Sequence, residues 1–249
     1  MGRVAVVTGA AEGIGSGIAT RLANDGHQVA MLDWQGDKVE KLAAELAAAG
    51  GTVLPLTVDV SDRASIETAY ATVRETFGPI HIVVANAGIS NMVPFVQLDQ
   101  ETWDRMIAVN LTGVFHTIQA AVGDMIEATY GRIVTISSSS AQSGAPAMAH
   151  YVSSKGGVIG LTKALARELA EHRITVNTIP PTVVDTPMAH HEAGQAGGAE
   201  QFLEAVSAMV PLGRAGTPAD IGNAVSFLVS DDAAYITGQI IGVNGGMYI

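Results

Sequence analysis

The sequence has no cysteine among its 249 residues. It can therefore form no disulfide, no thiol nucleophile and no cysteine-ligated metal centre. Basic residues are also scarce, because 13 Lys and Arg stand against 24 Asp and Glu and give a formal net charge of −11. An acidic surface repels phosphodiester backbones, and the sequence has no basic run of five or more residues, so we expect no nucleic-acid partner.

The chain also lacks a long apolar run near its start, where Val4 to Val7 leads into a glycine-rich turn. That run is too short for a signal-peptide core or a membrane span, and we expect a cytoplasmic protein with no membrane partner. Charged residues are only 15% of the chain, whereas glycine is abundant at 28 residues. These proportions predict a well-buried globular chain and exclude disorder.

Short β-branched segments alternate with longer segments of helical periodicity, which is typical of βαβ units. Several predicted strands are apolar almost throughout, as strands covered on both faces are. We therefore predict an α/β fold of Rossmann type, with a doubly wound, mostly parallel, seven-stranded sheet and helices on both faces. Predicted strands cover 4–8, 28–33, 53–59, 81–85, 132–137, 174–179 and 239–243, and predicted helices cover roughly 14–25, 36–49, 62–77, 99–128, 150–170 and 217–230.

No Pro- or Ser-rich linker divides the chain, so residues 1–249 are predicted to form one dinucleotide-binding domain. The stretch from Pro180 to Gly198 has no regular pattern and carries His190 and His191. An irregular stretch of that length is usually a lid or a disordered segment. We predict a variable substrate lid at about 182–210, with the histidine pair in the lid rather than in a metal site.

A glycine-rich segment, TGAAEGIG over 8–15, joins the first predicted strand to the first predicted helix. Glycines there let the backbone approach a pyrophosphate, and the N–H groups at the helix start face the phosphates. The same glycines would suit an ordinary tight turn. Asp33 lies 33 − 13 = 20 residues past Gly13, at the end of the second strand. Its carboxylate can accept hydrogen bonds from a ribose diol, although it could instead cap the next helix.

A tyrosine and a lysine lie one helical turn apart. Tyr151 and Lys155 occupy positions i and i+4 of the helix predicted over 150–170, so their side chains share one face. A nearby ammonium lowers the pKa of a phenol from its usual value of about 10, and such a tyrosine can exchange protons near neutral pH. The pair predicts a proton-transfer site, although a surface pair with the lysine packed along the ring has the same spacing.

Polar residues follow the predicted fourth and fifth strands. Ser138 lies just past the fifth strand, and Asn86, Ala87 and Gly88 end the fourth. Side chains at the carboxyl ends of parallel strands face the crevice where ligands bind, although serine runs also form plain turns. Asn110 lies inside a long predicted helix, where asparagine has poor propensity, and indicates either a capped break or a working role.

Together these residues resemble the short-chain dehydrogenase/reductase family, in its single-domain branch, over residues 3–249. The resemblance implies that the catalytic residues are Asn110, Ser138, Tyr151 and Lys155. It also implies cofactor contacts from the glycine-rich loop, the strand ends and the segment after the sixth strand, namely Gly9, Glu12, Gly13, Ile14, Gly15, Asp33, Asp59, Val60, Asn86, Ala87, Gly88, Tyr151, Lys155, Pro181, Val184 and Thr186.

The resemblance implies a role for each catalytic residue. Tyr151 is expected to exchange a proton with the substrate oxygen while a hydride passes between the substrate carbon and the nicotinamide. Lys155 is expected to lower the pKa of that tyrosine and to hold the nicotinamide ribose. Ser138 is expected to donate a hydrogen bond to the reacting oxygen, and Asn110 to hold a water that links Lys155 to solvent. No metal is implied.

The resemblance carries further expectations for three positions outside the catalytic set. Asp59 is expected to contact the adenine, and Thr186 to bond the nicotinamide amide. The family usually has glycine after Pro181, whereas this chain has Thr182. Because a β-branched residue does not readily take a positive φ, the backbone beside the nicotinamide is expected to run differently here.

The expected cofactor is NAD rather than NADP. Asp33 and Glu12 would both repel a 2′-phosphate, and no Arg or Lys occupies 34–37 to offset them. Coulomb repulsion from these carboxylates disfavours the 2′-phosphate of NADP, whereas NAD has no phosphate at that position.

The segments after the fourth, fifth and sixth strands are expected to line the substrate pocket. Apolar pockets with few polar groups suit ketones and secondary alcohols, whereas a small hydroxy acid needs a fixed cation. The sequence therefore predicts hydride transfer between NAD(H) and a hydrophobic secondary alcohol or ketone, such as a hydroxysteroid or a cyclic alcohol. The expected lining is nearly all apolar and comprises Ser90, Met92, Val93, Ala141, Ala145, Met148, Val183, Val184 and Met188.

Two other functions fit parts of the sequence. A 3-oxoacyl-[acyl-carrier-protein] reductase shares the overall pattern, but it must dock an acidic partner. The segments 127–130 and 171–173 offer one certain cation, Arg173, for that purpose. A catalytically idle NAD-binding regulator is the non-enzymatic alternative, and the complete set of four catalytic groups argues against it. A homotetramer is implied by the resemblance alone.

Overall fold

A computed structural model describes residues 2–195, 205 and 207–248. Its central sheet contains six strands, all parallel, in the order β3-β2-β1-β4-β5-β6. This topology confirms the predicted doubly wound fold. The strands are β1 (Val4–Thr8), β2 (Gln28–Asp33), β3 (Thr52–Thr57), β4 (Ile82–Ala85), β5 (Gly131–Ile136) and β6 (Ile174–Ile179).

Helices cover both faces of the sheet in the described part of the chain, close to the predicted boundaries. The prediction did not include two of them, which follow β5 and β6. In chain order the helices are α1 (Gly13–Asn24), α2 (Gly36–Ala48), α3 (Arg63–Phe77), α4 (Gln100–Ile107), α5 (Gly113–Ala128), α6 (Ser140–Ser143), α7 (Ala149–Glu168), α8 (Pro187–Gln195) and α9 (Pro218–Val229).

The two faces of β1 pack into different cores, which explains why its first four positions are all apolar. Val4 and Val6 join a buried cluster with side chains of α3, α5 and α7. Ala5 and Val7 join a second cluster with side chains of α1, α2 and α9. Burial on both faces fixes the sheet between two helical layers and leaves its carboxyl edge to carry the site.

The predicted seventh strand, 239–243, forms a single bridge instead. Ile240 pairs with Thr178 of β6, where the Thr178 N–H donates to the Gln239 carbonyl at 3.0 Å and the Ile241 N–H donates to the Thr178 carbonyl at 2.9 Å. The segment then turns away at Gly245, whose φ is +62°. The prediction of a seventh strand is therefore wrong in extent, because among the described residues 239–243 pairs with β6 through this one bridge and the sheet has six strands.

The predicted irregular stretch 180–198 is wrong over its middle, where the helix α8 lies. The N–H of Ala189 donates to the Thr186 hydroxyl at 3.2 Å, and Pro187 occupies the first helical position. A hydroxyl cap followed by proline is a helix-start signal that outweighs the nearby glycines. Residues 196–204 and 206 of the predicted lid, which include Gly197 and Gly198, lie outside the described residues.

The long helix predicted over 99–128 is one continuous run with a wider π-helical turn at Ala108–Thr112, between α4 and α5. By length and composition alone, Gln100–Ala128 could cross a membrane. Met106, Ile118 and Met125, however, are fully buried against the rest of the protein. A buried helix of a globular protein can have the same length and composition. The burial of these three side chains identifies this run as such a core helix.

Three histidines favour the neutral form in the folded chain, because burial lowers the pKa of His27, His81 and His150. An unfolded histidine has a pKa of about 6.5, so the unfolded chain binds protons more readily than the folded chain below that pH. The stability that these groups contribute is present above about pH 6.5 and is lost as the pH falls through the window below it.

We therefore expect the thermal midpoint to fall by a few degrees between about pH 7.5 and about pH 5.5. His150→Gln removes one of the three groups and should make the fall shallower, with each protein compared against its own midpoint at the higher pH. A midpoint that stays constant or rises on acidification would contradict this assignment.

Candidate active site

The candidate site lies at the carboxyl edge of the sheet, beside the place where the strand order reverses between β1 and β4. In open α/β sheets ligands bind in the crevice outside this edge, because the connections leave β1 and β4 in opposite directions. The loops that follow β1, β4, β5 and β6 carry most of the predicted site residues.

The glycine-rich loop after β1 forms a cradle that side chains would fill. Gly9 and Gly13 take φ values of +66° and +57°. A Cβ on Gly15 would lie 1.8 Å from the Gly9 carbonyl oxygen. Glu12 precedes α1 without capping it through its side chain. The loop and the start of α1, including Ile14, therefore fit a pyrophosphate held by backbone N–H groups.

Asn86 fastens the end of β4 to this loop. Its side-chain amide donates to the carbonyls of Thr8 and Gly9 at 2.9 and 3.1 Å. The N–H groups of Asn86 and Ala87 donate to the Thr8 hydroxyl at 3.1 and 3.2 Å. These bonds hold the phosphate loop against β4 across the reversal point.

Asp33 ends β2 with a buried carboxylate. One oxygen accepts the Ala11 N–H and the other accepts the Gln35 N–H, each at 2.9 Å. Gln35 is the residue that precedes α2, so the helix-cap alternative for Asp33 is partly correct. Each carboxylate oxygen keeps a second lone pair, which suits a ribose diol beside the phosphate loop.

A cation that the sequence reasoning missed lies at the same place. The Lys38 ammonium is 2.6 Å from a carboxylate oxygen of Glu12, so the two charges pair across the entrance to the loop. The predicted NAD preference depended on the absence of Arg and Lys from 34–37, and Lys38 is the next residue. Its position in the first turn of α2 was the available signal.

Asp59 follows β3 near the end of β2, because the Val58 N–H donates to the Asp33 carbonyl at 2.8 Å. One Asp59 oxygen accepts the N–H and the hydroxyl of Ser61 at 2.9 and 2.6 Å. The hydroxyl bond from Ser61 holds the pKa of Asp59 below its usual range. Asp59 is exposed, whereas Val60 is buried. Of the two residues expected near the adenine, Asp59 is therefore the more accessible.

Asn110 occupies the π-helical turn within the long helix rather than a capped break in it. Its side-chain oxygen accepts the Ile89 N–H at 2.8 Å and its amide donates to the Ile89 carbonyl at 2.9 Å. The amide also lies 3.3 Å from the Ser154 hydroxyl, which donates to the Tyr151 carbonyl at 2.7 Å. Ser154, which the sequence reasoning missed, thus connects Asn110 to the tyrosine turn of α7.

Lys155 points into the interior from α7. Its ammonium donates to the Ile136 carbonyl at 2.9 Å and lies 5.8 Å from the centre of the Tyr151 ring. Burial lowers the pKa of Lys155 to about 8. A Cβ on Gly88 would lie 3.3 Å from this ammonium and 3.2 Å from the Asn110 side-chain oxygen, so a side chain there would press against both groups.

Ser138 lies two residues after Ile136, whose carbonyl accepts the hydrogen bond from Lys155. The Ser138 hydroxyl oxygen lies 2.8 Å from that of Ser140 and accepts the Ser140 N–H at 3.2 Å. Asn110 is thus linked through Ser154 to the Tyr151 carbonyl, and Lys155 is linked through the Ile136 carbonyl to the segment that carries Ser138.

Two predicted substrate loops are tied to each other. The Val93 N–H donates to the Ala147 carbonyl at 2.8 Å, and Ala147 takes a φ of +59° that non-glycine residues rarely adopt. A ring nitrogen of the buried His150 lies 2.6 Å from the Asn91 side-chain oxygen. Asn91 and His150 were missed, although both adjoin residues that the sequence did predict.

The other predicted pocket residues differ in placement. Met92 and Met188 are 42% and 41% exposed, and Met148 is the residue that precedes α7. Val183 lines a cavity of about 110 Å³ with Val210, Leu212 and other residues of the C-terminal segment. The buried hydroxyl of Ser90 has no hydrogen-bond partner among the described residues.

Thr186 lies against the phosphate loop, because a Cβ on Gly13 would come within 3.2 Å of its methyl group. Its hydroxyl donates to the Val184 carbonyl and caps α8, so a bond to a nicotinamide amide stays a prediction. Thr182 is not among the described non-glycine residues with positive φ, and the different backbone path expected after Pro181 stays a prediction.

The fold and this site define a class of enzyme, an oxidoreductase that uses a nicotinamide cofactor and acts on CH–OH or C=O groups. Residues 9–248 match the family model described as enoyl-(acyl carrier protein) reductase. The chain belongs to the short-chain dehydrogenase/reductase family. It is therefore an enzyme rather than the NAD-binding regulator considered above.

Curated relatives match along the whole chain. It is 38% identical over 248 residues to the 3-oxoacyl-[acyl-carrier-protein] reductase FabG of Thermotoga maritima, and the match covers 100% of this chain and 98% of the relative. It is 39% identical over 250 residues to FabG of Escherichia coli, with 100% and 98% covered. A solved actinorhodin polyketide ketoreductase with NADPH is 36% identical, with a TM-score of 0.96 over 99% of this chain and 97% of that one.

Proposed function

We propose that this enzyme reduces the 3-oxo group of an acyl chain carried as a thioester, and oxidises the corresponding 3-hydroxy group in reverse. The observation that supports this substrate is the full-length similarity to reductases named for 3-oxoacyl thioesters. The sequence alone favoured a free secondary alcohol and kept this substrate as its alternative. The similarity reverses that order, while the reaction type is the same in both.

The site residues divide the work of reduction. The bound nicotinamide supplies the hydride. Tyr151 gives its phenolic proton to the substrate oxygen, and Ser138 donates a hydrogen bond to the same oxygen, so that charge is stabilised where it develops. The Lys155 ammonium, 5.8 Å from the Tyr151 ring, favours negative charge on the phenol oxygen after the proton leaves. Asn110 holds the Ile89 backbone and the Ser154 side of α7 in place.

The proposed cofactor is NAD(H), held by the chain's own groups. The loop 8–15 would bind the pyrophosphate through backbone N–H groups, and the buried Asp33 carboxylate would accept from the adenosine ribose. Lys155 would hold the nicotinamide ribose. The solved ketoreductase contains NADPH, so the difference is proposed on the charge of Asp33 and Glu12.

A second candidate substrate is a free hydrophobic ketone or secondary alcohol. The exposed Met92 and Met188 support it, because flexible methionines suit bulky, loosely fitted ligands. The acidic net charge supports it as well, since a charge of −11 slows the encounter with an acidic carrier protein.

We expect NADH oxidation to be fastest with a 3-oxoacyl thioester. The panel compares acetoacetyl carrier protein, acetoacetyl coenzyme A and free cyclic and steroid ketones at matched concentration. Crotonyl coenzyme A tests the C=C reduction that the family description names. Faster turnover of a free ketone than of both thioesters would select the second candidate, and turnover of the crotonyl thioester alone would overturn carbonyl chemistry.

The proposal extends to location and assembly. We propose a cytoplasmic homotetramer built from one domain per chain, with α8 and the segment around it as a substrate lid at about 182–210. Exposed apolar side chains support contacts between copies, among them Phe115 and Ile126 on α5 and Phe227 on α9.

A further inference from the structure

The serine run after β5 divides into two pairs of contacts. Ser137 and Ser139 bond toward the chain around β6, where Ser137 contacts Ile179 and Ser139 contacts Thr182. Ser138 and Ser140 bond to each other, with 2.8 Å between their hydroxyl oxygens. The second pair therefore contains the proposed substrate donor and one further hydroxyl that neither the sequence nor the proposed reaction uses.

The hydrogen-bonding capacity of the Ser138 hydroxyl limits what the Ser140 hydroxyl can do. A hydroxyl offers one donor and two acceptor positions. The Ser140 N–H occupies one acceptor position of Ser138 at 3.2 Å. If the Ser140 hydroxyl occupies the second, the only hydrogen-bonding group left on Ser138 is its own O–H, which is then available to donate to the substrate oxygen. If the order were reversed, the Ser138 proton would be spent on Ser140 and lost to the substrate.

We infer that Ser140 is a positioning residue that donates to Ser138 and so turns the Ser138 hydroxyl toward the reacting oxygen. The inference rests on the proposed role of Ser138. A chain of hydroxyls that donate in one direction polarises each member, so the Ser138 proton becomes a better donor as charge develops on the substrate oxygen. Holding the proton before the substrate arrives also removes a reorientation from the chemical step.

The test is a double-mutant cycle of Ser138→Ala and Ser140→Ala, run with the carbonyl substrate that the panel turns over fastest. Ser140→Ala should lower kcat about tenfold, less than the roughly 10²-fold or greater loss on removing a donor outright. KM, NADH affinity and thermal midpoint should stay near those of the parent protein. In the Ser138→Ala background the same substitution should have almost no further effect, because the hydroxyl it orients is gone.

Two further variants separate orientation from structure. Ser140→Thr keeps the hydroxyl and should restore most of kcat. Ser143→Ala is the matched control, since Ser143 lies on the same helix α6 and its hydroxyl donates to the Ser139 and Gly144 carbonyls, away from Ser138. It should leave kcat unchanged.

Unchanged kcat in Ser140→Ala, or an equal loss in the Ser138→Ala background, would overturn the inference. A loss shared by Ser143→Ala would also overturn it, because it would mark a general effect of α6. Since the cycle uses whichever carbonyl compound is turned over, failure of the thioester proposal leaves this test intact.

Discussion

Replacing Tyr151 with phenylalanine should lower turnover by about 10³-fold or more while NADH binding stays nearly intact, because general acid catalysis of this kind contributes about 10²- to 10⁴-fold. The ring remains in place on α7, so its packing is kept and only the proton-transfer group is lost. Lys155 then has no phenol oxygen beside it to stabilise. Steady-state kcat and a fluorescence titration with NADH measure the two effects separately.

Tyr70→Phe is the matched control for that result. Tyr70 lies on α3, a helix that carries no predicted site residue. It is fully buried, and its hydroxyl donates to the Thr117 carbonyl at 2.7 Å. Its loss should lower the thermal midpoint and leave kcat near the parent value. If Tyr151→Phe retained turnover within a few-fold of the parent, or if NADH affinity collapsed with it, the proton-transfer role would be wrong.

The parts of the fold that sequence predicts well are those with a strong local pattern. Strands such as β1 and β2 are apolar at nearly every position and end at Thr8 and Asp33 as predicted. Helix ends at Asn24 and Phe77 follow from the glycines just beyond them. Where a segment depends on contacts far along the chain, as 239–243 depends on β6, the local pattern could not set its length.

The candidate site shows the same division. Asn110, Ser138, Tyr151 and Lys155 carry signals of type, spacing or position after a strand, so sequence could single them out. Ser140, Ser154 and Lys38 are ordinary polar residues whose meaning comes from a partner in another element or turn, at 2.8, 3.3 and 2.6 Å. Such distances exist only after folding, which is why sequence reasoning missed them.

Cofactor choice should favour NADH over NADPH by about 10²-fold or more in kcat/KM. Two unit charges 4 Å apart at an effective dielectric of about 20 repel by roughly 4 kcal/mol, before solvent and salt reduce the value. Asp33 is 5% exposed and keeps most of this repulsion toward a 2′-phosphate. Glu12 contributes less, because it is more exposed and Lys38 lies 2.6 Å from its carboxylate.

The pairing of Glu12 with Lys38 makes the charge argument specific to each residue. Asp33→Ala should raise kcat/KM for NADPH and lower it for NADH, since it removes the ribose acceptor and the repulsion together. Glu12→Gln should raise kcat/KM for NADPH with little change for NADH, because it frees Lys38 to meet the phosphate. The control is Glu40→Gln, which removes an exposed charge from α2, the helix that carries Lys38, and should change neither value. A parent enzyme with higher kcat/KM for NADPH would mean that Lys38 already outweighs both carboxylates, and the NAD assignment would then be wrong.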